Sequence, residues 1–581
     1  MLSSTTPLNP SARAEALAAL AKTELDVLVI GAGVTGTGCA LDAVTRGLRV
    51  GLVEARDYAA GTSSRSTKLF HGGLRYLEQL NFSLVFEALR ERSLALTKLC
   101  PHLAKPVPFI YPLRRHVIDR GYAGLGIGVY DVMGAGRGVP HHLRHLSRKK
   151  TLEIFPSANR EALIGAISFY EGQVDDARHT LMLGRTAAHY GALCATSARV
   201  IGFLREADRV AGVRVRDLES GAEFDVRARQ TINAAGVWID ELHGMLRDPA
   251  VPGSTLTPKG LFRVRASKGI HLVVPRNRIN AMTGLITRTD KSLLFVIPWG
   301  SHWIIGTTDT DWQLDRAHPA ASAADIDYLL AHANRLLADP LTRDDVVGVY
   351  AGLRPLLSGE SDSTSKLSRE HAVASPVRGL TVIAGGKYTT YRVMAKDAVD
   401  AAVRDLEQKV PPSCTEDVPL LGADGYHALW NGRQLLAGET GLREPQVEHL
   451  LNRYGSLLPE LIELIAETPE LAHPLDGAPE YLKVEAVYAA SHEGALHLDD
   501  ILARRTRISI ETWDRGLGAA SEIATLVAPT LGWGPADINR EIAHYQLRVA
   551  AERDSQDQPD DRSADAARLG APDVRVGASR V

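Results

Sequence analysis

A chain of 581 residues that is 45% hydrophobic can bury enough apolar surface for two or three domains. Its formal net charge of -3 supplies no field that would draw nucleic acid, so anion recognition must come from local clusters of Arg and Lys. Cys39, Cys100, Cys194 and Cys414 are dispersed and form no CxxC, which argues against a metal site or a disulfide framework and fits a reducing cytoplasm.

Residues 1–24 read as an N-terminal extension. They lack the charged start and apolar core of a secretory signal, and Glu15 breaks the acid-poor pattern of a transit peptide. The first clear organisation begins at Leu25. LDVLVI (25–30) predicts a strand buried on both faces, GAGVTG (31–36) a turn into an amphipathic helix, and RVGLVE (49–54) a second strand ending at Glu54. In this order Gly31 allows the tight turn, Gly33 lets the backbone approach a pyrophosphate, and Gly36 lets helix and strand pack closely. The helix start offers N–H groups to phosphates, and Glu54 can accept from ribose hydroxyls, which disfavours a 2′-phosphate. The unit predicts a dinucleotide site without separating NAD from FAD.

KLFHGGLRYLE (68–78) is dense in ionisable groups around Gly72 and Gly73. Taken alone it is either a solvated turn or one wall of a site. YAGLGIGVYDVMGAG (122–136) is the nearest approach to a membrane span, but it is short and carries Asp131, so a buried helix or a loop near a ligand is the expectation. HHLRHLSRKK (141–150) is basic and is either a solvated loop or a contact with anionic headgroups, each charge adding about 1 kcal/mol there.

RQTINAAGVWIDEL (229–242) runs as a strand into Ala234, Ala235 and Gly236, small residues that permit close approach to a cofactor. GIHLVVP (269–275), SLLFVIPW (292–299) and HWIIGTTD (302–309) predict short strands of an antiparallel sheet. LTVIAGGKYTTYRVMAKDAV (380–399) predicts a strand, a turn at Gly385 and Gly386, and a helix with Thr389 in its first turn. A helix start aimed at a flavin would stabilise charge developing on reduction, by about 0.3–1 kcal/mol at an exposed terminus. Three small-residue turns spread along the chain favour the longer cofactor, FAD.

DVLVIGAGVTGTGCALDAVTRGL, GTSSRSTKLFHGGLRYLE, VDDARHT, NAAGVWID, SKGIHLVVP, IIGTTDTDW, AGLRPLL and GGKYTTYRVMA together cover most of residues 25–400. In these stretches the chain resembles the FAD-dependent, quinone-linked glycerol-3-phosphate dehydrogenases of the aerobic type. The resemblance implies an α/β fold in which a Rossmann-type FAD-binding domain (25–105, 155–260 and 345–405) is interleaved with an antiparallel-sheet substrate cap (106–154 and 261–344). It implies that FAD accepts a hydride from C2 of sn-glycerol 3-phosphate, giving dihydroxyacetone phosphate, and that a membrane quinone receives the electrons. The enzyme would then be cytoplasmic and peripheral on the inner face of the cytoplasmic membrane.

The same resemblance lays Thr62, Ser63, Ser64, Lys68, Leu69, His71, Gly72 and Gly73 along the cofactor, with Ala235, Gly236, Gly386, Lys387 and Thr389 completing its site. Arg75, Arg354, Arg369 and Lys387 match basic positions used near substrate, and Arg suits a phosphate through its fixed bidentate geometry. His71 is a candidate acceptor of the substrate's hydroxyl proton, because imidazole titrates near neutrality. A His71 that only shapes the flavin pocket stays open, with Tyr76 and Lys387 as other acceptors. An oxidase of this fold using oxygen, or acting on an amino or 2-hydroxy acid, is the alternative; it needs one carboxylate clamp rather than this set of cations. A non-catalytic flavoprotein ranks last.

Beyond Pro411 and Pro412 the pattern turns helical, and residues 414–550 predict a separate helical domain with a packing or homodimer role. Its lack of a cysteine cluster resembles the self-sufficient members of the family. The charged stretch 552–581, poor in large apolar residues, predicts a disordered tail.

Overall fold

The computed structural model describes residues 5–73, 81–114, 128, 144–246, 262–290, 292–357 and 370–575. Strand Leu25–Ile30 is buried at every residue, as its unbroken apolar run requires. It sits inside a parallel array ordered Leu380–Gly385, Glu223–Asn233, Leu25–Ile30, Val50–Val53 and Leu193–Ala195. Helices Val34–Thr45, Asp176–His189 and Tyr391–Ala402 pack together on one face, with Cys39, Ala40, Ala43, Met394 and Ala398 in the core between them. Strands Ala198–Glu206 and Arg209–Asp217 extend the far end of Glu223–Asn233 as an antiparallel meander.

The second sheet forms the cap. Val264–Pro275 pairs antiparallel with both His302–Gly306 and Gly348–Leu357, and Leu293–Trp299 continues the sheet. Two details differ from the sequence expectation. Gly284–Arg288 runs parallel to Ala104–Leu113, because these strands come from separate excursions of the chain and no hairpin fixes their sense. Strands Leu69–Phe70, Gly165–Val174 and Gly348–Leu357, which fall within the boundaries expected for the nucleotide domain, hydrogen-bond in the cap sheet instead. Which sheet a strand joins is set by pairing with distant segments, so nothing local in an interleaved chain marks it.

The C-terminal region is helical from Tyr426 onward, interrupted by a small hairpin of Pro474–Leu475 and Ala478–Leu482. The stretch LDDILARR attaches it to the nucleotide domain. Arg505 grips Asp57 through two parallel bonds of 2.7 Å, and Arg504 Nε donates to the same carboxylate at 2.6 Å. All three side chains are buried.

Residues 552–575 are not the disordered tail that the sequence predicts, and 576–581 lie outside the described residues. Helix Pro535–Asp557 runs through residue 552, and Asp561–Arg568 forms another helix. Asp561 accepts from the buried Lys268 of the cap sheet, and Arg575 pairs with Asp500. Asp561, Asp573 and Arg575 of this stretch are paired with charged partners on distant segments, which composition cannot reveal. At the other end, helix Pro10–Leu20 is capped by Asn9, and its Arg13 pairs with Asp217. Among the described residues no helix is long and apolar enough to cross a membrane.

Removing one partner of a buried ion cluster leaves the others uncompensated. Asp57→Asn is therefore expected to lower stability by about 3–5 kcal/mol, read as a fall in the urea midpoint. A second expectation concerns pH. His497 is buried and near Arg575, both of which disfavour its charge, but bonds to Glu219 and Glu541 outweigh them and hold its pKa up to about 9. Because its folded value exceeds the ordinary 6.5, the contribution is full below pH 6.5 and lost as pH rises through 9. His497→Gln should flatten the decline of stability across that window.

Candidate active site

The C-terminal ends of the parallel strands open into a cavity of about 1100 Å³, where α/β sheets place their ligands. Its nucleotide end is built by the first turn. Gly31 has φ +102°, and a Cβ there would stand 2.9 Å from the Ala234 carbonyl oxygen. Gly36 lies behind the wall rather than on it. A Cβ on Gly36 would overlap the Gly31 carbonyl oxygen at 1.8 Å, so its role is to let the helix cross the strand. Ser63 Oγ accepts from Val34 N at 2.9 Å and lines the cavity beside Gly33. Glu54 is fixed at the strand end by the N–H groups of Ala32 and Arg56, at 2.8 and 2.9 Å. Burial raises its pKa while those donors oppose the rise.

This end carries residues that sequence reasoning missed. Arg56 pairs with Asp573 at 3.3 Å, and Leu569, Ala571, Pro572 and Asp573 line the same cavity as Glu54. The tail thus covers the nucleotide end. Nothing in its composition marks this, because the pairing is made across more than five hundred residues.

At the other end His71 follows the two-residue strand Leu69–Phe70, which pairs with Gly165–Val174. That pairing brings the fully buried Glu171 to His71, with Oε1 2.9 Å from Nδ1. Arg92 Nη1 holds the other carboxylate oxygen at 3.0 Å. A carboxylate only accepts, so Nδ1 is the donor in this pair and Nε2 is the ring nitrogen left for the cavity. Thr389 fastens His71 from across the later turn, accepting from its N at 3.0 Å and donating to its carbonyl at 3.2 Å. Glu171 is readable afterwards as the single acid in the strand run ISFYEGQV.

Arg354 lies on Gly348–Leu357, in register with Ser267. Its Nη2 donates to Thr307 Oγ1 at 3.0 Å and to the Thr308 carbonyl at 3.2 Å, and Nη1 is 3.7 Å from Asp309. Gly269 makes room for it, since a Cβ there would stand 2.5 Å from Nη2. His271, two residues on, stacks on Tyr350 at 4.7 Å. Burial, then Arg354 and Lys68, push its pKa well below the ordinary imidazole value, so it is neutral. The quoted stretch SKGIHLVVP contained this histidine, but nothing local distinguished it from a core residue.

Of the other residues singled out in the sequence, Thr62, Leu69, Ala235, Gly236, Gly386 and Lys387 line the cavity. Lys68, Ser64, Gly72 and Gly73 do not. Lys68 is buried behind the wall, with φ +58°, Nζ 2.8 Å from Asp176 and a bond to the Ser64 carbonyl. It is a scaffold cation rather than a cofactor contact. Gly72 N donates to Glu171 at 3.3 Å. Arg75, Tyr76 and Arg369 lie outside the described residues.

The residues present fit FAD: a long cavity, a glycine cradle at one end, a fixed acid, and a polar pair at the other. A methyl at residue 36 would force the helix off Gly31, so Gly36→Ala is expected to purify with little flavin. The ratio of visible to ultraviolet absorbance checks this, and a normal ratio would remove Gly36 from the cradle.

Residues 26–392 match the model of the FAD dependent oxidoreductase family, and residues 413–538 match the C-terminal domain of alpha-glycerophosphate oxidase. The chain is 58% identical over 569 residues to glycerol-3-phosphate dehydrogenase 2 of Mycobacterium tuberculosis (strain ATCC 25618 / H37Rv), spanning 98% of this chain and 95% of that one. It is 57% identical, with the same coverage, to the glycerol-3-phosphate dehydrogenase of Mycobacterium leprae (strain TN). The solved glycerol-3-phosphate dehydrogenase from Bacillus halodurans, complexed with FAD, matches with a TM-score of 0.77 at 28% identity, covering 93% of this chain and 98% of that one. With its dinucleotide cavity, its fixed histidine and these relatives, the chain belongs to the family of FAD-dependent glycerol-3-phosphate dehydrogenases.

Proposed function

We propose that this chain oxidises sn-glycerol 3-phosphate to dihydroxyacetone phosphate. The observation that carries the reading is the meeting of His71, backed by Glu171, with Arg354 in one cavity that also fits a dinucleotide. FAD, when bound, supplies a two-electron acceptor for the hydride leaving C2. The chain's own residues supply the rest. His71 Nε2 takes the hydroxyl proton, and Glu171 steadies the imidazolium through Nδ1. Arg354, held by Thr307, Thr308 and Asp309, offers a guanidinium for the phosphate, with Lys387 on the adjoining turn. Neutral His271 beside Arg354 can bond a substrate oxygen without competing for the proton. Arg75 and Arg369 are proposed as further phosphate cations.

Electrons are proposed to pass to a membrane quinone, with the enzyme peripheral on the inner face of the cytoplasmic membrane. Arg144, Arg148, Lys149 and Lys150 are exposed on the segment 144–150, which supports a contact with anionic headgroups.

Anaerobic mixing of the purified protein with glycerol 3-phosphate should bleach the visible flavin bands, whereas glycerol should not. A flavin that stays oxidised ends the substrate assignment. His71→Gln should lower the rate of reduction by about 10²–10⁴-fold, and Arg354→Ala should raise KM with FAD retained. Glu171→Gln should lower the rate with little change in KM, because it acts on His71 rather than on substrate.

A further inference from the structure

A second cavity, of about 110 Å³, lies behind the first, between Ser64–Arg65, strand Gly348–Leu357 and the C-terminal helices. Its wall carries six arginines against two carboxylates, Asp499 and Glu552. Arg504 is engaged by Asp57, Asp499 and Asp500, and Arg507 by Asp175 and Asp176. Arg548 shares Asp499 with Arg504 and leaves its Nε buried without a partner. The remaining positive charge is less satisfied still. Arg515 comes no nearer than 3.6 Å to Glu552, and its Nε and Nη1 are buried without partners. Arg568 forms no ion pair among the described residues, and its Nη1 is buried without a partner. These two residues are 5% and 6% exposed.

A guanidinium cannot shed its proton to relieve such burial. It must find an anion or carry a desolvation penalty of several kcal/mol per ion. Burial and the neighbouring Arg548 push the pKa of Arg568 down to about 10, and burial with Arg548, Arg504 and Arg56 pushes that of Arg65 to about 9. Burial is the larger cause at both, and at Arg568 the carboxylates of Glu552, Asp499 and Asp315 oppose it without cancelling it. FAD phosphates could neutralise Arg65, which also borders the main cavity, but Arg515, Arg548 and Arg568 border only the second.

We propose that this second cavity binds a tetrahedral oxyanion of the size of inorganic phosphate, held by Arg515, Arg548 and Arg568. These arginines come from three different segments: the turn before helix Leu517–Leu531, helix Pro535–Asp557, and the end of helix Asp561–Arg568. Donors converging from separate directions suit an ion with acceptors on every side better than a planar carboxylate. The oxyanion would fasten the tail helix to the body of the C-terminal domain. It is a binding site separate from the substrate's.

The test is calorimetric titration of the FAD-loaded full chain, dialysed free of phosphate and held at constant ionic strength. The wild type and Arg354→Ala should both take up inorganic phosphate saturably. Arg568→Gln and Arg515→Gln should bind it about tenfold or more weakly while still being reduced by glycerol 3-phosphate. In phosphate-free buffer Arg568→Gln should melt no lower than the wild type, since it removes an unpaired cation; this separates loss of the site from loss of the fold. Titrating Arg354→Ala with glycerol 3-phosphate distinguishes free phosphate from a phosphomonoester as the occupant, and uptake of either that depends on Arg568 supports the site. Phosphate binding lost in Arg354→Ala but unchanged in Arg568→Gln, or no saturable uptake at all, would overturn it.

Discussion

The carboxylate of Asp57 is the joint on which the molecule is assembled. It lies three residues beyond Glu54 at the nucleotide end, yet its partners Arg504 and Arg505 belong to the C-terminal domain. From there buried charges continue inward. The Arg505 carbonyl accepts from Arg178 and Arg453, and Arg178 pairs with Glu493. Arg507, two residues on, pairs with Asp175 and Asp176 at the start of helix Asp176–His189. Asp176 in turn holds Lys68. Each of these ions has lost its water, and each is tolerable only while the others are in place.

This chain of charges runs from the helical domain to Lys68, in the segment that carries His71 to the cavity. Lys68 adopts a left-handed backbone because Asp176 and the Ser64 carbonyl fix its ammonium from behind. The segment that follows is thereby delivered to Glu171 and Thr389 with His71 facing the cavity. The helical domain therefore acts as the back support of the 62–73 segment. Its stretch LDDILARR has a packing role within the chain.

The parts of this architecture legible in sequence are those with local periodicity or a steric demand. LDVLVI, the glycines of GAGVTG and the alternating cap strands announce themselves because a buried strand or a crossing helix admits few residue types. His71, Arg354 and Lys387 stood out through the resemblance and line the cavity together. Glu171, His271 and Asp573 did not, because their roles arise from pairings between distant segments. The tail failed for the same reason. Its charges look solvated one by one, and only Lys268, Asp500 and Arg56 in three dimensions turn them into anchors.

The two histidines of the site show how such pairings divide labour in the proposed reaction. His71 has a carboxylate behind it, and the carboxylate has Arg92 behind that, so the ring is held by an acid that is itself paired. His271 has the opposite surroundings: an apolar burial, a stacked tyrosine, and the positive charges of Arg354 and Lys68. These surroundings support the proposed roles, with His71 as the base and His271 as a neutral hydrogen-bonding partner. A phosphate dianion settling on Arg354 would weaken one of the pushes on His271, but burial, the larger cause, would remain. The assignment therefore survives substrate binding, which a site relying on Arg354 alone to keep His271 neutral would not achieve.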